Sequence, residues 1–167
     1  MSGRILVGGH DGVYVLRFDG DVRVTLSGSF DHYLEKMLAD DNLVSVLVDL
    51  SDAVAIDSTS LGVLAKLSLQ LQKKRERLPT LVCESPDILR VLYNMGFEDV
   101  FAIVNENFET AQNLAELPMS NDMTEEALRE RVIQAHKVLM SMNQQNAQTF
   151  KDLVDALELE QRAARAS

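Results

Sequence analysis

A chain of 167 residues with 46% hydrophobic content can bury one full core and carry an appendage, but is short for two independent domains. Its 16 basic and 26 acidic residues leave a net charge of −10, which argues against nucleic acid or an anionic membrane as partner, since either requires a concentrated positive patch. The lone cysteine, Cys83, excludes an intramolecular disulfide and fits a reducing, cytoplasmic setting; the N-terminus does not read as a signal peptide, and no stretch approaches the ~20 apolar residues of a membrane span.

In chain order, residues 4–7 and 13–18 are apolar runs separated by the Gly- and Asp-bearing turn at 8–12, which predicts a β-hairpin. Asp19-Gly20-Asp21 is expected to stop the second strand. Phe30, Tyr33, Leu34, Met37 and Leu38 recur at helical spacing and predict a helix over 29–39. The branched apolar run at 43–50 has the composition of a strand buried on both faces. A helix over 59–77 follows, ended by Pro79, because a residue before proline avoids helical geometry. The basic run from Lys73 to Arg77 complements the negative end of that helix and reads as a solvated terminus.

Residues 80–83 form a further apolar strand, in which Cys83 reads as a small buried hydrophobe. Ser85 and Pro86 supply an N-cap and a first helical position, and Gly96 a left-handed stop. A strand over 100–104 and a closing helix over 108–117 complete the order β-β-α-β-α-β-α-β-α. Such alternation predicts an α/β fold with a mixed, mostly parallel sheet flanked by helices.

The composition breaks at 118–122, which sets a domain of residues 1–117 apart from a helical extension of residues 118–167. Asp122 and Glu125 have the spacing of a capping box. Leu128, Val132, Ala135, Leu139 and Met142, then Phe150, Leu153 and Leu157, make a heptad-like stripe interrupted by the polar run 143–146. One long helix or two folded at that run would both satisfy the pattern. The stripe either packs back on the main domain or forms a homodimer seam or a contact with a second partner.

The segment carrying the most chemistry is Asp57-Ser58-Thr59-Ser60-Leu61-Gly62, at the junction between the 43–50 strand with its loop and the 59–77 helix. Four consecutive side chains there can accept hydrogen bonds from the helix's first free N–H groups, so the residues alone are consistent with an overstocked N-cap. The pattern, with Leu50-Ser51 before it and Val63-Leu64 after, resembles the phosphorylation motif of bacterial STAS-domain anti-sigma factor antagonists. That motif reads Asp-Ser-[Ser/Thr]-Gly-Leu-Gly, and only Ser60 departs from it, standing where the family has Gly. The segment from Ser85 to Leu92, followed by Met95-Gly96-Phe97, is similar to the family's Ser-Pro helix and the turn behind it.

The resemblance covers roughly residues 4–117. It implies a STAS-type fold, Ser58 as phosphoacceptor, and partners that include an anti-sigma factor or serine kinase and a serine phosphatase, with no enzymatic activity and no cofactor. The implied switch is physically reasonable. A phosphate would add about −1.5 to −2 charge at Ser58, tolerated by the helix N-terminus but costly to a docked partner. Asp57, Thr59, Ser60, Leu61, Gly62, Val63 and Leu67 are then the expected partner-binding residues. Along the helix, Val63, Leu67 and Leu71 make one apolar line and Leu61, Leu64 and Ser68 another, about 100° away; one should face the sheet and the other is a contact stripe.

An enzyme needs a nucleophile and a base brought together, and His10, His32 and His136 are scattered over a turn, a helix and the extension. Neither a G-x-S-x-G elbow, a glycine-rich phosphate loop nor a metal-ligand spacing is present. The alternative within the same family is a non-switching STAS subunit of a lipid-transport or other membrane-associated complex.

Overall fold

The computed structural model describes residues 2–105, 113–119 and 123–166. Strands β1 (Arg4–His10) and β2 (Val13–Val22) form the expected antiparallel hairpin, but the turn is only Asp11 and Gly12, whose φ angles of 52° and 82° suit a two-residue turn. Gly8, Gly9 and His10, expected in the turn, pair with Val15, Tyr14 and Val13. Asp19-Gly20-Asp21 does not end β2. Gly20, at φ 77°, places a bulge there, the register shifts, and the strand resumes through Val22.

Helix α1 (Ser27–Leu38) is followed by β3 (Ser45–Asp49), then by a short strand not expected from the sequence, β4 (Ala53–Ile56). The latter pairs in parallel with the far end of β2, beyond the bulge. Its four residues are too few to show an alternating pattern, and its Val54 is 70% exposed, so periodicity could not reveal it.

The chain continues through α2 (Ser58–Arg75), β5 (Thr80–Val82), α3 (Pro86–Asn94), β6 (Ala102–Val104) and β7 (Ala115–Glu116). The sheet order is β6-β5-β3-β2-β1-β7, parallel from β6 to β2 and antiparallel at β1 and β7. The helix expected over 108–117 lies partly outside the described residues, and its described end is β7. There Ala115 and Glu116 pair with Val7 and Leu6, and the Leu117 N–H donates to the Ile5 carbonyl at 2.8 Å. The unfilled edge of β1 imposes extended geometry on residues whose own preference is weak.

Aliphatic side chains from β2, β3, β5, α1 and α2 build the core, joined by Phe18 edge-on to Phe30 and by stacked Phe97 and Phe101. Cys83 is fully buried, and burial pushes its thiol up from the ordinary value, consistent with packing rather than nucleophilic duty. Ser85 caps α3 by accepting from the Ile88 N–H, Pro86 opens the helix, and Gly96 has φ 82°. The basic end of α2 does more than meet solvent. Lys74 donates to the Leu38 carbonyl, and Arg75 donates to the carbonyls of Leu43 at 2.5 Å and Asp41 at 2.9 Å, satisfying groups at and beyond the C-terminal end of α1.

The extension is two helices, α4 (Glu125–Met142) and α5 (Gln144–Ala166), with α4 packed on α2 and α5 on α4. Asp122 lies outside the described residues, and the cap on α4 is Thr124, whose hydroxyl accepts from the Ala127 N–H at 3.0 Å. The polar run is the bend: the Asn143 side chain accepts from the Asn146 N–H at 2.8 Å and so caps α5. Because α5 starts afresh there, the heptad phase does not carry across. Phe150, Val154 and Gln161 are buried, while Leu153 is 41% exposed.

Candidate functional site

The site is built where β4 runs into α2. Asp57 has extended backbone and its carboxylate is fully engaged within the fold: Oδ1 accepts from the Ser60 N–H at 2.8 Å and Oδ2 from the Val24 N–H at 2.6 Å. It thus caps α2 and ties that cap to the turn leading into α1. Ser58 is the first residue of α2 and is half-buried, whereas Thr59 and Ser60 are buried. The Ser60 hydroxyl is buried with no hydrogen-bond partner among the described residues.

Ser58 is not free on the surface. Its Oγ lies 2.7 Å from Nε2 of His136, a residue of α4 that is 2% exposed. The other ring nitrogen, Nδ1, lies 2.7 Å from the Val132 carbonyl, which can only accept, so Nδ1 carries a hydrogen. In the neutral ring Nε2 is then an acceptor, and the Ser58 hydroxyl donates to it. The imidazole is further held edge-on to Phe150 of α5, with ring centroids 4.9 Å apart.

One turn into α2, Gly62 lies directly against α4. A Cβ at this position would stand 2.3 Å from the Ala135 carbonyl oxygen and 2.7 Å from the Ala135 Cβ. Glycine is needed here for the space it leaves, since the crossing is backbone on backbone.

An ionic cluster joins three helices beside that crossing. Asp31 of α1 accepts from Lys66 of α2 at 2.8 Å and from Arg131 of α4 at 2.8 Å. Burial by itself would raise the Asp31 carboxyl, but the hydrogen bonds and charges of Lys66 and then Arg131 outweigh it and hold the group below its ordinary value. At the bend, Asn143 and Asn146 both donate to the Met95 carbonyl, at 3.2 and 2.9 Å, and Asn146 also donates to the Leu139 carbonyl at 2.9 Å. The α4–α5 hairpin is therefore fixed to α1, α2 and the end of α3.

The expected partner-binding residues are brought together at one end of α2, but not as an open surface. Thr59, Ser60, Leu61, Val63 and Leu67 are all at most 5% exposed, and both apolar lines of the helix are buried. His136, Ala135, Arg131, Asp31 and Lys66 complete the site and were not assigned to it from the sequence. A glycine inside a helix and an alanine inside the apolar stripe are the sequence marks of such a crossing, yet nothing in the sequence pairs them.

Residues 4–116 match the model of the STAS domain, and the chain belongs to the STAS domain family. Among solved structures it is similar to an anti-sigma factor antagonist from Mycobacterium paratuberculosis, with a TM-score of 0.51 and 24% identity over 61% of this chain and 85% of that one. It is also similar to the anti-sigma factor antagonist SpoIIAA in its unphosphorylated form, with a TM-score of 0.50 and 13% identity over 61% of this chain and 87% of that one. At these identities the likeness is one of fold. No curated protein matches the chain. Among the described residues, no helix is long and apolar enough to cross a membrane.

Proposed function

We propose that this chain is an anti-sigma factor antagonist whose partner binding is switched by phosphorylation of Ser58. The observation that carries this reading is the difference in burial among the motif's three hydroxyls. Thr59 and Ser60 are turned into the protein, and Ser58 alone retains partial exposure at the mouth of the site. The Asp57 carboxylate is committed to capping, which fixes Ser58 at the first position of α2. A phosphate there faces the free N–H groups of a helix N-terminus, so the domain itself tolerates the charge. A partner docked on the same turn meets about −1.5 to −2 of new charge and loses its fit.

In this scheme the unphosphorylated form binds an anti-sigma factor or its kinase in the cytoplasm, which frees a sigma factor for transcription. Phosphorylation releases that partner, and a serine phosphatase restores binding. Residues 1–117 are the switching domain, and residues 118–167 are an addition to it. A loss of only about 1.4 kcal/mol is a tenfold change in affinity, so a local clash suffices.

The test is a set of pull-downs from the native cell extract with wild type, Ser58→Ala and Ser58→Asp, the captured proteins being identified by mass spectrometry. Wild type and Ser58→Ala should capture an anti-sigma factor or its kinase, and Ser58→Asp should lose it. Capture of one unchanged set by all three proteins would reduce Ser58 to a structural contact of α2 with His136.

A further inference from the structure

At the docking end of α2, Ser58, Gly62 and Val63 lie beside α4. Ser58 donates to His136, Gly62 lies under Ala135, and Val63 is 4% exposed beside the same helix. A protein docked over Gly62 and Val63 would have to take the place of the hairpin. The hairpin is held there by hydrogen bonds and an ionic cluster, Ser58–His136, Asp31–Arg131, and Asn143 and Asn146 on the Met95 carbonyl, together with Ala135, Leu139 and Phe150, which join the main core. The polar groups are resolvated by water when the interface parts, whereas the three apolar side chains must be covered again by whatever takes the place of α4.

The hairpin is also equipped to move as one body. Ile133 of α4 and Val154 of α5 are buried without joining the main core cluster. Four polar contacts tie α4 to α5 directly: Lys137–Glu158 at 3.0 Å, Arg129–Glu160 at 3.2 Å, Arg165–Glu126 at 3.5 Å, and Gln161 to Glu130. The family match ends at residue 116, before the hairpin begins.

We infer that the α4–α5 hairpin is an intramolecular occupant of the partner-docking face of α2, which must lift as a unit before the first two turns of that helix can receive a partner. A partner therefore competes with α4, presenting in its place a surface that tolerates the Gly62 crossing and offers the Ser58 hydroxyl an acceptor. This inference rests on the reading of α2 as the docking helix.

The experiment uses the full chain carrying Val63→Cys, with Cys83 as the internal reporter of global unfolding, because its thiol is fully buried. Labelling by a thiol reagent is followed by mass spectrometry at each site. The V63C thiol should label at least tenfold faster than Cys83. Ala135→Leu, which wedges α4 away from Gly62, should accelerate V63C labelling a further tenfold and leave Cys83 unchanged. Arg131→Gln, which unpairs α4 from Asp31 without adding bulk, should accelerate it in the same direction and keeps the test decisive if the wedge prevents folding. Equal labelling rates at the two sites, or rates untouched by Arg131→Gln, would overturn the inference. These arms need no partner, so they are read separately from the Ser58→Asp pull-down. With the captured partner purified, Ala135→Leu or Arg131→Gln should bind it about tenfold more tightly than wild type; unchanged affinity would show that α4 does not compete.

Discussion

The Ser58 hydroxyl donates to Nε2 of His136 across 2.7 Å and 78 positions of sequence. A substitution at Ser58 therefore acts on the hairpin as well as on the proposed phosphorylation. Ser58→Ala leaves a buried imidazole nitrogen without its donor and should cost about 1–3 kcal/mol. His136→Leu removes the acceptor, and the double variant should lose less than the two single losses added, by about 0.5–3 kcal/mol. Urea unfolding of the four proteins measures the cycle, and strict additivity would show that the contact contributes nothing.

Gly62→Ala should reverse the usual sign of a helix substitution. In an open helix, glycine to alanine gains about 1 kcal/mol from propensity. Here the added methyl would stand 2.3 Å from the Ala135 carbonyl oxygen, and overpacking of that kind costs about 1–3 kcal/mol. A lowered denaturation midpoint is expected, and a raised one would mean that α4 does not press on α2.

Acid should loosen the hairpin through Asp31. Its carboxyl is held below the ordinary value of 3.8, so the stabilisation it gives is complete above that value and is lost as pH falls through the lower folded value. Asp40 and Glu130 are also held low, so the informative quantity is the difference between wild type and Asp31→Asn. Hydrogen exchange of α4 should rise in wild type below about pH 4. In Asp31→Asn the exchange should already be raised at neutral pH and respond less to acid. Parallel pH profiles for the two proteins would exclude Asp31 as the acid-sensitive tie.

Ser60→Ala should be neutral or stabilising. The Ser60 hydroxyl is buried and has no partner among the described residues, so its removal relieves a desolvation cost of about 1–3 kcal/mol and sacrifices no hydrogen bond. Thermal denaturation would register the gain, and a loss of more than about 1 kcal/mol would reveal a bond that this hydroxyl makes.

Much of the fold was legible because its signals are local. The Asp11–Gly12 turn, the Ser85–Pro86 start and the Gly96 stop each rest on one residue's backbone preference, and all three stand where they were expected. The continuation of β2 past its bulge, β4 and β7 were missed because each depends on a neighbour: a strand edge supplies the hydrogen bonds that the residues' own pattern does not announce. The site divides in the same way. Asp57 and Ser58 lie in a contiguous motif, whereas His136 reaches Ser58 only through the docking of α4 on α2, and no local spacing encodes that docking. The tail's stripe correctly marked Ala135, Leu139 and Phe150 as inward-facing, but its phase failed in α5 because the Asn143 cap restarts the helix.

Leu117 is pinned to Ile5 at the sheet edge, and α4 begins a few residues later, after Thr124. A binder joined to its target by so short a connection acts at an effective concentration on the order of 1 mM, whatever the amount of protein in the cell. A free partner at about 1 µM, with equal intrinsic affinity for α2, would be outnumbered about a thousandfold. The connection thus sets a fixed threshold for response: only a partner that binds this face much more tightly than α4 does, or one produced in quantity, displaces it. Diluting or concentrating the protein itself leaves that threshold where it is.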